Sequence, residues 1–353
     1  MTTVHAATYE LLRAQGMTTM FGNPGSNELT FLDQLPDDFR YVLALHEGAG
    51  LAMAECYSQV TGRPVLVSLH AAAGVGQAMG SLVNAQISGT PLVVMSGQQA
   101  RPLITLQGQL TNVDATTLPR PLVKGSFEAP SAASVPDVLA RAVHLAVAAP
   151  SGPVFVSVPL DDWRHDADDG TVERLSARSV SSRPRAAADS LAAVAARLDA
   201  ARNPLLVLGA EVDASGGWDA AVALAERCAA PVMFSIELGR VPFPTDHPCY
   251  QGCLAVDIAR VRHQLAGHDL VLVVGAQVFR YHALSPGPFL PDGTALIAIT
   301  ADPDLAARAP VGDAVVGDPA HALSQLVRLV RKATGCCPPG GNSRPPSRRR
   351  TGP

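Results

Sequence analysis

Three stretches of the chain carry polar groups where acid–base chemistry would need them. Asn23-Pro24-Gly25-Ser26-Asn27 follows the apolar run TTMFG, His46-Glu47 follows YVLAL, and His70 follows PVLVSL. A carboxylic acid, a hydroxyl and an imidazole can between them hold, donate and remove protons near neutral pH. Each has a purely structural alternative. Ser26 precedes the periodic run Leu29, Leu32, Leu35, so it suits a helix N-cap as well as a functional hydroxyl, and the two roles are compatible. Glu47 could be only a first-turn carboxylate favoured by the helix dipole. Its neighbours ALHEGAGLAMA are small or apolar, which favours a buried acid, because burial disfavours the charged form and makes a usable proton donor. His70 alone would pass for a satisfied structural histidine; its position beside the other two makes it a candidate.

The elements that must position these groups alternate. TTMFG, YVLAL, PVLVSL, PLVVMSG and PVFVSVP are expected strands, separated by ELTFLDQL, GAGLAMAECYSQVTG and QAMGSLVNAQIS, where apolar residues recur at helical spacing. That order predicts an α/β fold with a doubly wound parallel sheet, covered by helices on both faces. Ligands of such a sheet bind outside the carboxyl ends of its strands, where helix N-termini point. Ser26, Glu47 and His70 all fall on successive turns at that edge.

A second doubly wound, Rossmann-like domain is predicted by LLVLGA, PVMFSI, DLVLVVGA, ALIAIT and AVVGD, with helical stretches between them. The expected organisation is a first domain over residues 1–165, a polar linker over 166–188, a second domain over 189–334 and a disordered tail over 335–353. The tail is rich in Pro, Gly and Arg and holds no Asp or Glu, a composition that cannot bury a core. It is equally open to reading as out-of-frame translation of a longer gene.

Gly74-Val75-Gly76-Gln77-Ala78-Met79-Gly80 imitates a dinucleotide fingerprint. The spacing is GxGxxxG and no acidic residue follows about 20 positions on to hold a ribose, which disfavours a nicotinamide-binding module. LLVLGAEVDASGG imitates it less well, and tight helix–strand packing is the expected reason for these glycines.

At roughly 150 residues per domain, 353 residues make two domains, and 47% apolar with 16% charged residues excludes a largely disordered chain. A net charge of −4 leaves no footprint for nucleic acid or an anionic membrane and favours a small-molecule partner. No leading segment resembles a secretory signal, and no run reaches the ~20 apolar residues of a membrane span. The six cysteines form no paired CxxC motif, so reduced thiols in a cytoplasmic protein are expected.

Several longer motifs carry a resemblance. FGNPGSNE (21–28), ALHEG (44–48), SLHAAAGVGQAMG (68–80), LTNVDATTLPRPLVK (110–124), GPVFVSVPLDDW (152–163) and VFRYH (278–282) together resemble the thiamine diphosphate-dependent 2-oxo acid decarboxylases, those acting on benzoylformate above all. The resemblance implies a first domain that binds the aminopyrimidine of the cofactor, with Asn23, Pro24 and Gly25 beside it, and a noncatalytic central domain. Glu47 would hydrogen-bond the pyrimidine ring nitrogen and promote the imino form that removes the C2 proton of the thiazolium. Ser26 would contact the substrate carboxylate, His70 and His282 would move protons, and Leu110 would face an aromatic ring. Gln109 and Gly125 depart from the bulkier residues expected of close relatives, which leaves other aryl or branched 2-oxo acids open.

The resemblance also implies a third domain that binds the diphosphate and Mg²⁺ through a GDG motif and paired asparagines, and this sequence shows neither. The expectation is that the chain by itself contributes the pyrimidine half of the site, has no metal site and is inactive alone. It would then be a truncated product, one subunit of a split enzyme or homo-oligomer, or a noncatalytic interaction remnant.

Overall fold

The computed structural model describes residues 2–236, 239–277, 279 and 285–331. The chain divides into a unit ending at Ser182 and one beginning at Arg183. The first runs α1 (Val4–Ala14), β1 (Thr19–Asn23), α2 (Leu29–Leu32), β2 (Arg40–Leu43), α3 (Glu47–Thr61), β3 (Val65–Leu69), α4 (Ala71–Ile87), β4 (Leu92–Gln98), α5 (Arg101–Ile104), β5 (Ser126–Glu128), α6 (Val135–Val147), β6 (Val154–Pro159) and α7 (Thr171–Ser176). Its strands form one parallel six-stranded sheet in the order β2-β1-β3-β4-β6-β5.

Every residue of β3 and β4 is buried, as central strands covered on both faces require. Phe21, Val67, Leu69 and Val94 pack on one face with Leu51 of α3 and Val75 and Leu82 of α4. Met20, Leu66 and Met95 pack on the other with Leu11 of α1 and Leu139 and Val143 of α6. Each such side chain contributes about 1.5–3 kcal/mol when fully buried. Gly22 lies opposite Ser68, Asn23 opposite Leu69, and Leu69 opposite Ser96, so β1 and β3 end level and β4 runs two residues further. The strand order reverses direction between β1 and β3, the switch point where a crevice opens.

The second unit runs α8 (Ala188–Ala200), β7 (Pro204–Leu208), α9 (Ala210–Ala214), α10 (Trp218–Cys228), β8 (Val232–Phe234), β9 (Tyr250–Cys253), α11 (Ile258–Leu265), β10 (Leu270–Val274), β11 (Ala295–Thr300), α12 (Pro303–Ala307), β12 (Asp313–Val316) and α13 (Pro319–Leu329). Its six parallel strands follow the order β12-β11-β10-β7-β8-β9. Both units are therefore the parallel-sheet α/β domains anticipated from the sequence.

Three details differ from expectation. The edge strands β5 and β9 occupy stretches with no strand pattern, because a short outermost strand is not buried on both faces and carries little periodicity. ELTFLDQL yields only the four-residue α2. That turn is held by one residue: Phe31 is fully buried, stacks on Tyr9 at 5.0 Å and meets Trp163 at 4.7 Å. The stretch expected as a linker contains α7, whose Leu175 enters the core of the first unit.

Cys56, Cys228 and Cys253 are free thiols, but Cys249 is disulfide-bonded, so the expected all-thiol state does not hold for it. The tail over residues 335–353 and His282 lie outside the described residues. Among the described residues no helix is long and apolar enough to cross a membrane.

Candidate functional site

Glu47 opens α3 immediately after β2 and is 6% exposed. The preceding residue His46 is the N-cap, its Nδ1 accepting from the Gly48 N–H at 3.1 Å. The Glu47 carboxylate thus sits on the first turn, where the helix dipole favours an acid, yet it is turned inward. Asn23, the last residue of β1, donates from Nδ2 to its Oε1 at 3.4 Å. Gly74 of α4 comes so close that a Cβ there would lie 3.1 Å from the same oxygen. Three elements therefore enclose this acid, and the sheltered placement inferred from its small and apolar flanks is what the fold delivers.

His70 is the N-cap residue of α4 and makes no side-chain cap bond. Its ring turns to the β1–α2 turn, with Nδ1 2.8 Å from Oε2 of Glu28. Gly25 is the residue that admits the ring: a Cβ there would lie 2.1 Å from Nδ1. Ser26 is exposed on the same turn. It is not an N-cap, because α2 begins at Leu29 with Glu28 in the cap position. The N-cap alternative for Ser26 is removed, and among the described residues its hydroxyl has no hydrogen-bond partner.

Glu28 is the residue the sequence reading passed over. It lies inside FGNPGSNE and opens the expected helix ELTFLDQL, but no role was read for it. It is 1% exposed, and its carboxylate accepts from the N–H groups of Gly25 and Gly97, each at 2.9 Å. The signal that could have found it is a pair of glycines, Gly25 and Gly97, at the ends of strands. A Cβ on Gly97 would lie 2.2 Å from Oε1 of Glu28, so the second glycine makes room for the carboxylate.

Leu110 is brought to this edge by a long loop. Its carbonyl accepts from Asn27 Nδ2 at 3.4 Å, next to Ser26, and its side chain is 40% exposed. Its φ of +69° is left-handed, a conformation that costs a non-glycine residue roughly 1–3 kcal/mol unless neighbours impose it. Buried Gln98 helps impose it: Oε1 accepts from the Asn112 N–H at 2.9 Å and Nε2 donates to the Asn112 carbonyl at 2.8 Å. At the other end Arg101 forms a two-pronged pair with fully buried Asp162, both contacts at 2.7 Å.

The glycine-rich stretch does not form a phosphate-binding turn. It lies inside α4, where the Gly74 N–H donates to the His70 carbonyl. Close packing explains Gly74, against Glu47, but not Gly76 or Gly80, at which a Cβ would meet nothing within 4 Å. Of the positions singled out from sequence, Asn23, Glu47, Gly25, His70, Ser26 and Leu110 share the carboxyl edge of the first sheet, with Pro24 in the same turn. His282 lies outside the described residues.

Comparisons with known proteins identify both units. Residues 2–118 match the thiamine pyrophosphate enzyme N-terminal TPP binding domain, and residues 191–326 match the thiamine pyrophosphate enzyme central domain. The chain is 51% identical over 331 residues to a benzoylformate decarboxylase of Pseudomonas aeruginosa, covering 94% of this chain and 62% of that one. Among solved structures, a thiamine diphosphate-dependent 4-hydroxybenzoylformate decarboxylase of Rhodococcus jostii superimposes with a TM-score of 0.93 at 50% identity, over 96% of this chain and 64% of that one. A benzoylformate decarboxylase from Polynucleobacter necessarius gives a TM-score of 0.92 at 41% identity, with the same coverage of 96% and 64%. The chain thus spans less than two thirds of the length of each of these relatives.

Proposed function

This chain belongs to the thiamine pyrophosphate enzymes, and from that premise we propose that its first unit supplies the pyrimidine-binding half of a 2-oxo acid decarboxylase acting on benzoylformate or a related aryl 2-oxo acid. The observation that carries this reading is the enclosed carboxyl group of Glu47, 6% exposed, at an edge shared with His70 and Ser26. Its one described side-chain partner is the long contact from Asn23, so it keeps hydrogen-bonding capacity for a ring nitrogen. Gly74 leaves open the space beside it that a larger residue would fill. That donor set fits an aminopyrimidine.

When bound, thiamine diphosphate supplies the electron sink that decarboxylation of a 2-oxo acid requires. Glu47 would share a proton with the pyrimidine ring, which a carboxyl group does well only where water is excluded. Asn23, Pro24 and Gly25 would hold the cofactor beside β1. The Ser26 hydroxyl contacts the substrate carboxylate, His70 gives and takes protons, and His282 is assigned the second proton-moving role. Leu110 lies against the substrate's aromatic ring, an apolar contact that tunes preference by about 1–3 kcal/mol. The diphosphate and its Mg²⁺ call for oxygen ligands and helix N-termini; among the described residues no cluster of metal-ligating side chains is found, and this reading assigns only the pyrimidine half to them.

The outer face of the first unit supports a homo-oligomer or a partner chain. The charged residues of α3, Glu47 and Glu55, are both buried, and α4 has none. Met53, Tyr57 and Val60 are left exposed on α3, with Val83 and Ile87 on α4. A helix pair apolar on its outer face is expected to be covered.

The test is release of benzaldehyde and carbon dioxide from benzoylformate by the assembled enzyme with thiamine diphosphate and Mg²⁺. Glu47→Gln should abolish it and should also weaken binding of a thiamine-derived aminopyrimidine to the chain, followed by calorimetry. A normal rate and undiminished pyrimidine binding in that variant would remove Glu47 from the mechanism.

A further inference from the structure

One carboxylate organises the edge of the sheet without belonging to the set of residues expected to touch substrate. Oε2 of Glu28 accepts from the Gly25 N–H at 2.9 Å and lies 2.8 Å from Nδ1 of His70. Oε1 accepts from the Gly97 N–H at 2.9 Å and from the Ala71 N–H at 3.4 Å. The single side chain therefore ties together the turns that follow β1 and β3 and the last residues of β4. Two glycines clear its surroundings: a Cβ on Gly97 would strike the Glu28 carboxylate, and a Cβ on Gly25 would strike the His70 ring.

We propose that Glu28 is a positioning residue that holds neutral His70 with its proton on Nδ1, leaving Nε2 as the nitrogen that exchanges protons in the cleft. Backbone N–H groups can only donate. With three of them converging on its two oxygens, Glu28 serves as an acceptor throughout, and the imidazole nitrogen facing it supplies the proton of the shared bond. Among the described residues the ring makes no other hydrogen bond, so Nε2 is free for a partner that enters the crevice. A bond made by one ring nitrogen fixes what the other can do.

The adjoining backbone is strained in a way that points to the same purpose. Ala71 has a φ of +43°, a left-handed conformation that a non-glycine residue adopts only when its surroundings impose it. Here its N–H is held by Glu28 and its carbonyl accepts from Ser96 Oγ at 3.2 Å. Glu28 thus acts on His70 twice, through the ring and through the residue that turns the chain into α4.

This role rests on the decarboxylase reading, but its test does not need the cofactor. In the chain labelled with ¹⁵N-histidine, a two-bond proton–nitrogen spectrum recorded at alkaline pH reports which ring nitrogen is protonated. The His70 signals are assigned by their loss in His70→Gln. The expected result is a pyrrole-type Nδ1 and a pyridine-type Nε2. In Glu28→Ala, checked for folding by circular dichroism, the signals should shift toward the opposite tautomer or the average of the two. A protonated Nε2 in the unmodified chain, or an unchanged spectrum in folded Glu28→Ala, overturns the proposal. If Glu28→Ala does not fold, the spectrum of the unmodified chain decides alone. Because no cofactor is present, a wrong tautomer dismisses Glu28 and leaves the decarboxylase reading standing, whereas failure of pyrimidine binding does the reverse.

Discussion

At the scale of single residues, the site depends on side chains being in apolar or crowded places that their types do not favour. An acid at position 47 is turned inward, against Asn23 and Gly74, and in the proposed role it depends on water being kept from it. His70 is held from one side and open on the other. His70→Ala should therefore slow turnover of the assembled enzyme by roughly the 10²–10⁴ typical of acid–base groups; an unchanged steady-state rate would return His70 to a structural role. Leu110 predicts an effect of another kind. Held in a left-handed turn by Asn27 and Gln98 through Asn112, it should bear on substrate choice more than on chemistry. Leu110→Ala is expected to lower kcat/KM for benzoylformate relative to an aliphatic 2-oxo acid by about 1–3 kcal/mol, measured as the ratio for the two substrates. The residue types were legible at Glu47, His70 and Ser26, because each follows an apolar run. Glu28 was not, because its role depends on partners 42 and 69 positions away.

At the scale of elements, packing settles what periodicity leaves open. The α2 turn is too short to hold itself, and Phe31 pins it between Tyr9 and Trp163, with the Tyr9 hydroxyl donating to the Phe31 carbonyl at 2.9 Å. Phe31→Ala should cost about 3–5 kcal/mol, read from the urea midpoint, and should loosen the turn that carries Ser26 and Glu28. In the second unit Glu211, just after β7, accepts from Thr300 Oγ1 at 2.7 Å and from the Ala301 N–H at 2.9 Å, at the end of β11. Burial pushes its carboxyl above the ordinary value of 4.5, with those bonds opposing it. The folded protein then binds this proton more readily than the unfolded chain. Its contribution is present below the unfolded value and is lost as pH rises through the folded one. Glu211→Gln should flatten that decline, so denaturation midpoints of the two proteins, followed from about pH 4 upward, should converge on the acid side and part on the neutral side. Parallel curves would show that Glu211 titrates alike in both states. The strands that form the middle of each sheet were plain from sequence. Of the four edge strands β2 and β12 were legible too, but β5 and β9 were not, since SFE and YQGC carry no apolar run and their pairing is set by the neighbouring strand.

At the scale of the whole molecule, the uncharged outer face of α3 and α4 predicts association. Val60 is 88% exposed on a helix with no exposed charge, and Val60→Lys or Tyr57→Glu should lower the mass found by light scattering while leaving the far-ultraviolet spectrum intact. An unchanged mass in both variants would show that this face is not an interface. The alternation of strands and helices, the two parallel sheets and the edge at which the candidate residues gather were all determined by the sequence itself, because hydrophobic period and strand-to-helix order are local properties of the chain. The tertiary structure alone decided which polar residues are enclosed and whom they face. Whether Ser26 caps a helix or stands free, whether Gly74 serves a nucleotide or an acid, and whether Glu28 is solvated or central all turn on distances of a few ångströms between segments far apart in the chain. No local pattern encodes those distances, since they are fixed only when the sheet closes its register and the helices settle on its two faces.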